Sequence, residues 1–276
     1  SESPPPAGRL DPGLRAPLAR LARASDEADS ATLQAAVLAL VLTGGSRRER
    51  AVWDGCTQGL ADAEQVLDDV MALPATHRLP WLERLARALA PGPVAVRHDL
   101  IGAARRVMTA DGLVSPLDQL RWVALRHLLA GSAVAPPEAA HTELQSLDAQ
   151  HARQVCLFSA FLSQIVPAPE LTLDLSGLGS LGQLWYDTVV APWQGQAWLP
   201  AREGHDIDAS LRALRVLQTL PWLLRPVLVR AWFDAARALT DGVILHPEAA
   251  DALRLGCVLL DSPLPPELAR QYIEVQ

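Results

Sequence analysis

Lysine and asparagine are both absent from the 276-residue chain, so its cationic side chains are arginine and, when protonated, histidine. Both missing residues have AT-rich codons, and we read their absence as base composition rather than function. Acidic residues outnumber basic ones, leaving a formal charge of −7. Sequence-independent nucleic-acid binding needs a basic footprint, so that class is excluded. Isoleucine, phenylalanine and tyrosine are sparse, which disfavours sheets, because β-branched and aromatic residues fit pleated surfaces best. The three cysteines, Cys56, Cys156 and Cys257, are far apart and odd in number, with no Cys-x-x-Cys or Cys/His cluster. Neither a disulfide framework nor a structural zinc site is indicated, and free thiols in a reducing cytosol are expected. Long apolar runs are missing too. Ala35–Leu42 and the interrupted stretch from Val155 to Val166 fall short of the roughly 20 residues a bilayer span needs. The opening Ser-Glu-Ser-Pro-Pro-Pro has no basic segment followed by an apolar one and does not read as a signal peptide.

Catalytic signatures are equally scarce. The seven histidines (77, 98, 127, 141, 151, 205, 246) form no His-Glu-x-x-His, and there is no Gly-x-Ser-x-Gly elbow or P-loop. Gly177-Leu-Gly179-Ser-Leu-Gly182 fits Gly-x-Gly-x-x-Gly by spacing alone, without the strand and βαβ unit that give that motif meaning, and reads as linker.

What remains is rich in leucine and alanine, half hydrophobic, and patterned for helices. Ser46-Arg-Arg-Glu49 has capping-box spacing, and Ser115-Pro116-Leu117-Asp118 combines a capping hydroxyl, a first-turn proline and an acid. Helices are predicted at Asp62–Leu73, Leu79–Ala90, Arg97–Ala110, 116 to about 130, Asp148–Ile165, Leu181–Val190, Ile207–Gln218 and Arg225–Leu239. The sole strand-like alternation is Leu171–Leu175. Residues 1–13 read as a Pro/Gly-rich linker and 14–165 as an N-terminal bundle. Residues 166–206 form a Pro/Gly/Trp-rich connector, followed by a C-terminal bundle at 207–276. Trp185, Tyr186, Trp193 and Trp198 crowd that connector. They are candidates for a partner or inter-bundle surface, with local packing as the plainer alternative.

The most informative feature is a duplication. Leu79-Pro-Trp-Leu82, Ala103-Ala-Arg105, Asp111-Gly112, Asp118 and Pro136-Pro137 are followed in the same order by a second set. That set is Leu220-Pro-Trp-Leu223, Ala235-Ala-Arg237, Asp241-Gly242, Glu248 and Pro265-Pro266. Each copy reads as helix, Asp-Gly turn, capped helix and proline stop. Glycine suits the left-handed residue that ends a helix, and the acid favours the next helix's N-terminal end. Val114 and Ile244 are expected to pin the turns to the core. Asp111, Gly112, Ser115, Asp118, Asp241, Gly242 and Glu248 are thus assigned a structural turn-and-cap role. Two carboxylates per turn are too few for a calcium cage, so no metal is assigned.

Several segments resemble the C-terminal cytosolic extension of HtpX-type bacterial membrane zinc metallopeptidases, the family forty-eight metallopeptidases. They are Leu33–Leu42, Arg78–Leu85, Thr109–Ser115, and Asp241-Gly-Val-Ile down to Asp261–Pro266. The Asp-Gly-x-[Val/Ile]-x-x-x-acid units also resemble the TerB-like helical fold, although Asp118 stands where that pattern usually has glutamate. The resemblance implies an all-α chain of two TerB-like bundles, held in the cytoplasm and tethered to the inner membrane through N-terminal spans absent here. It implies a non-catalytic regulatory or interaction domain, with zinc only in the absent peptidase domain. Expected partners are its own peptidase portion, a substrate protein or a second copy, with no nucleic acid and no membrane span in this chain. A divalent-cation-sensing domain and an unrecognised hydrolase are the alternatives.

Overall fold

A computed structural model describes residues 11–131, 143–169, 180–242 and 244–275. The described residues form thirteen α-helices joined by turns and short 3-10 segments, with no strand among them. The expected all-α class therefore holds. None of these helices is long and apolar enough to cross a membrane. Residues 1–10, the Leu171–Leu175 alternation, Gly177-Leu-Gly179 and Pro136-Pro137 lie outside the described residues.

The chain divides into two compact units. The first contains α1 (Arg15–Asp26), α2 (Ser30–Leu40), α3 (Arg47–Cys56), α4 (Ala63–Met71), α5 (Ala75–Leu89) and α6 (Val94–Thr109). Its centre is α2, whose sequence is apolar nearly all round and which packs against α1, α3, α4, α5 and α6. Leu33 and every residue from Ala35 to Val41 are buried. The alanines let neighbouring helices approach closely. Trp53 of α3 is fully buried and donates its indole N–H to the Ala35 carbonyl at 3.0 Å. At the start of α3, Ser46 Oγ accepts the Glu49 N–H, as the capping pattern predicts. The Glu49 carboxylate is buried and accepts the Thr43 N–H. Helix α5 begins four residues before the predicted Leu79 and carries Pro80 in its interior.

The second unit takes residues 115–127, with most of α7 (Pro116–Ala130), then α8 (Ala149–Leu162), α9 (Leu181–Val189), α10 (Ile207–Leu217), α11 (Leu224–Leu239), α12 (Pro247–Leu259) and the short α13 (Pro266–Ala269). Residues 128–131 group with the first unit. Helix α8 lies against α10 and α9, and α11 against α9 and α12. Trp232 of α11 is the hub. Its indole N–H donates to Ser159 Oγ of α8 at 2.9 Å, its carbonyl accepts the Trp185 indole N–H at 3.0 Å, and Phe158 packs on its ring. Gly256 of α12 supplies the flat seat, since a Cβ there would meet the Trp232 ring at 3.3 Å. The division between units thus falls at Val114/Ser115, inside the first Asp-Gly motif, and not in the 166–206 connector where composition shifts. The apolar face of α8 is completed by α10 and α9, which draws it into the later unit.

Candidate functional site

The two Asp-Gly turns were the strongest candidates, and each is built locally. At the end of α6 the Gly112 N–H donates to the Thr109 carbonyl, with Gly112 at φ +80°. Asp111 Oδ1 accepts the Leu113 N–H at 3.1 Å. Ser115 and Asp118 then cap α7 reciprocally: Ser115 Oγ accepts the Asp118 N–H, while Asp118 Oδ2 accepts the Ser115 N–H and hydroxyl. In the second turn the Gly242 N–H donates to the Arg237 carbonyl, and both Asp241 and Gly242 have positive φ. Here His246 Nδ1 accepts the Glu248 N–H and makes the N-cap of α12.

The apolar residues of the turns do not pin them as expected. Val114 is 39% and Ile244 76% exposed, and Leu113 is 77% exposed. Leu117 and Leu245, one to three residues further on, are buried instead. A pin at Val114 or Ile244 would need the turn to roll over a cap that its own hydrogen bonds already fix.

From the first cap a polar chain runs through the second unit. Asp118 pairs with Arg121 at 3.3 Å, Arg121 with Asp251 at 3.5 Å, and the Tyr272 hydroxyl donates to Asp251 at 2.7 Å. Arg254 lies over the Tyr272 ring. Burial pushes the Asp251 carboxyl above its usual range, against the Tyr272 hydroxyl, Arg121 and Arg254, which pull it down. In the same unit His127 Nε2 lies 2.9 Å from Asp261 Oδ1, which is half of a hydrolytic triad on distance alone. The other ring nitrogen faces the Gln218 amide at 3.4 Å. Both nitrogens are therefore engaged within the fold.

The connector aromatics are interior. Trp185, Tyr186 and Trp193 are buried in the second unit, and the half-buried Trp198 packs on Trp193 with ring centroids 6.5 Å apart. The Tyr186 hydroxyl donates to the Pro200 carbonyl, and burial raises its phenol. Trp185, Tyr186 and Trp193 thus present little surface to a partner, and their contacts are those of local packing.

The described residues also line concavities. A groove of about 430 Å³ lies between α2, α6 and the end of α3, with Leu38, Leu60 and Leu100 in its lining and Cys56, Asp99 and Arg106 around it. Arg106 Nη2 stands 3.8 Å from Cys56 Sγ. A second, of about 360 Å³, lies between α8 and the start of α10. Its Arg202 is nearly buried and donates to Ser163 Oγ and Ser180 Oγ, which ties the 200–205 segment to the helices. Among the described residues no group of three or more His, Cys, Asp or Glu side chains is placed to hold a metal ion.

The sequence reading missed one recurring pair. Arg84 lies over Trp81 at 5.2 Å and Arg225 over Trp222 at 4.4 Å, so each Leu-Pro-Trp-Leu motif is extended by an arginine two residues on. The aligned copies carried that signal. No protein-family model, no curated protein and no solved structure matches the chain.

Proposed function

We propose that this chain is a non-catalytic, protein-binding regulatory domain made of two TerB-like bundles that arose by duplication. In this reading it is the cytoplasmic appendage of a membrane zinc metallopeptidase, and it binds that peptidase portion. The observation that carries the reading is the outward placement of the apolar side chains at both matched turns, Val114 with Leu113 in one copy and Ile244 in the other. An exposed apolar residue just before a rigid helix cap is a good contact for another protein surface, because it is ordered before binding. The Arg121–Asp251 and His127–Asp261 pairs support the same reading, since they join helices or their ends to one another.

The test is binding of the purified chain to the detergent-solubilised peptidase portion encoded upstream, followed by calorimetry. Replacing both Val114 and Ile244 with serine should weaken binding about tenfold, equal to roughly 1.4 kcal/mol, and leave the melting temperature of the free chain in place. Chelator-sensitive cleavage of casein by the chain alone would overturn the reading, as would the absence of any peptidase upstream.

A further inference from the structure

Helix α5 contains a carbonyl that its own helix cannot satisfy. The Thr76 C=O should accept from the residue four positions on, but that residue is Pro80, which has no N–H. Within the first unit the vacancy is filled from the far end of the chain: the Ile273 N–H donates to the Thr76 carbonyl at 3.1 Å. The neighbouring His77 is 7% exposed, and its Nε2 is buried without a hydrogen-bond partner. Its Nδ1 lies 3.2 Å from Thr76 Oγ1. Burial holds its imidazole below the ordinary 6.5. His77 sits in the first turn of α5, where the positive end of the helix also opposes an imidazolium.

Burial is the cause of that shift, and the charged groups on the described elements around α5 are placed as follows. Helix α2, packed on α5, carries no charged residue. On α1, also packed on α5, Arg15, Arg20, Arg23 and Asp26 are the charged residues; Arg20 pairs with Asp69 of α4 and Asp26 with Arg84. Arg78 turns its guanidinium to the Val70 and Leu40 carbonyls. Glu274 follows Ile273 along the chain, and Asp251 accepts the hydroxyl of the preceding Tyr272.

We infer that Thr76, His77 and Pro80 form an acid-opened latch, in which protonation of His77 loosens the first turn of α5 and frees the segment around Ile273. The sign follows from the buried imidazole. The closed form favours the neutral ring and the open, hydrated form accepts a proton at the ordinary value. Opening is therefore suppressed at neutral pH and grows as pH falls below 6.5, by up to about tenfold per unit until the closed form also protonates.

Amide exchange of Ile273 in the whole chain reads the latch directly, after correction for the intrinsic pH dependence of exchange. Wild type should show slow exchange at pH 7.5 and clear acceleration by pH 5, with a midpoint matching the His77 ring titration followed by NMR. His77→Gln should flatten the dependence, with His77→Phe as the second variant if the glutamine does not fold. A flat wild-type profile, or separate midpoints for ring and amide, overturns the inference. So does acceleration that persists in the folded variant, which would transfer the trigger to Asp251.

Discussion

Arg225 has almost no exposed surface, and its guanidinium donates to the carbonyls of Leu220, Leu260 and Gln218. One side chain thus closes the end of α10, the approach to α11 and the C-terminal cap of α12. Its planar fork is what makes this arrangement work, for a lysine ammonium cannot address three carbonyls spread around it in a plane. Replacing Arg225 with methionine would keep the apolar stem and orphan two buried acceptors and one half-buried one. We expect a loss on the order of 3 kcal/mol, seen as a lower urea midpoint with an unchanged slope. Arg225→Lys should recover only part of it. A variant as stable as wild type would show that water replaces the guanidinium without cost. The aligned copies mark Arg225 in the sequence but not its role, which is to answer backbone groups, and backbone groups leave no mark on composition.

Helix boundaries were legible where the signal is local. Ser46 and Ser115 cap helices as their spacing predicts, and Asp148, the expected start of its helix, caps α8, because a cap involves side chain and backbone three residues apart. The start of α5 was missed because Pro74 opens it with no side-chain cap, and the Leu-Pro-Trp motif drew attention to a point inside the helix. His246 was missed because histidine is an uncommon cap. The outward turn residues were missed because apolar periodicity says which residues could be buried but not how much room the next helix leaves. The reciprocal Ser115–Asp118 cap gives a direct test at this scale. Ser115→Ala should lower stability by about 1 kcal/mol, and Ser115→Thr should restore most of it, both measured by denaturant unfolding. An alanine variant indistinguishable from wild type would mean that Asp118 alone closes the turn.

At the scale of the molecule, composition marked the Pro/Gly/Trp-rich connector as a seam, while its buried tryptophans make its described part, with the neighbouring helix α8, interior to the second unit. Tryptophan content could not distinguish the two, since the same residue fills cores and interfaces. Fragments provide the test. Residues 207–276 lack α8 and α9, which cover α10 and α11, and should give little cooperative unfolding when made alone. Residues 14–165 carry α8 without its covering helices and should aggregate or bind a hydrophobic dye. Two soluble, cooperatively folding fragments would show that the seam is real. The thiols extend the same point to kinetics. Cys156 and Cys257 are buried in the second unit, burial lifting the Cys156 thiol to about 12, whereas Cys56 lies exposed in the first. A maleimide added to the native chain should therefore tag one position at once. Slow appearance of the second and third adducts would then time the breathing of the later unit alone, with no engineered label.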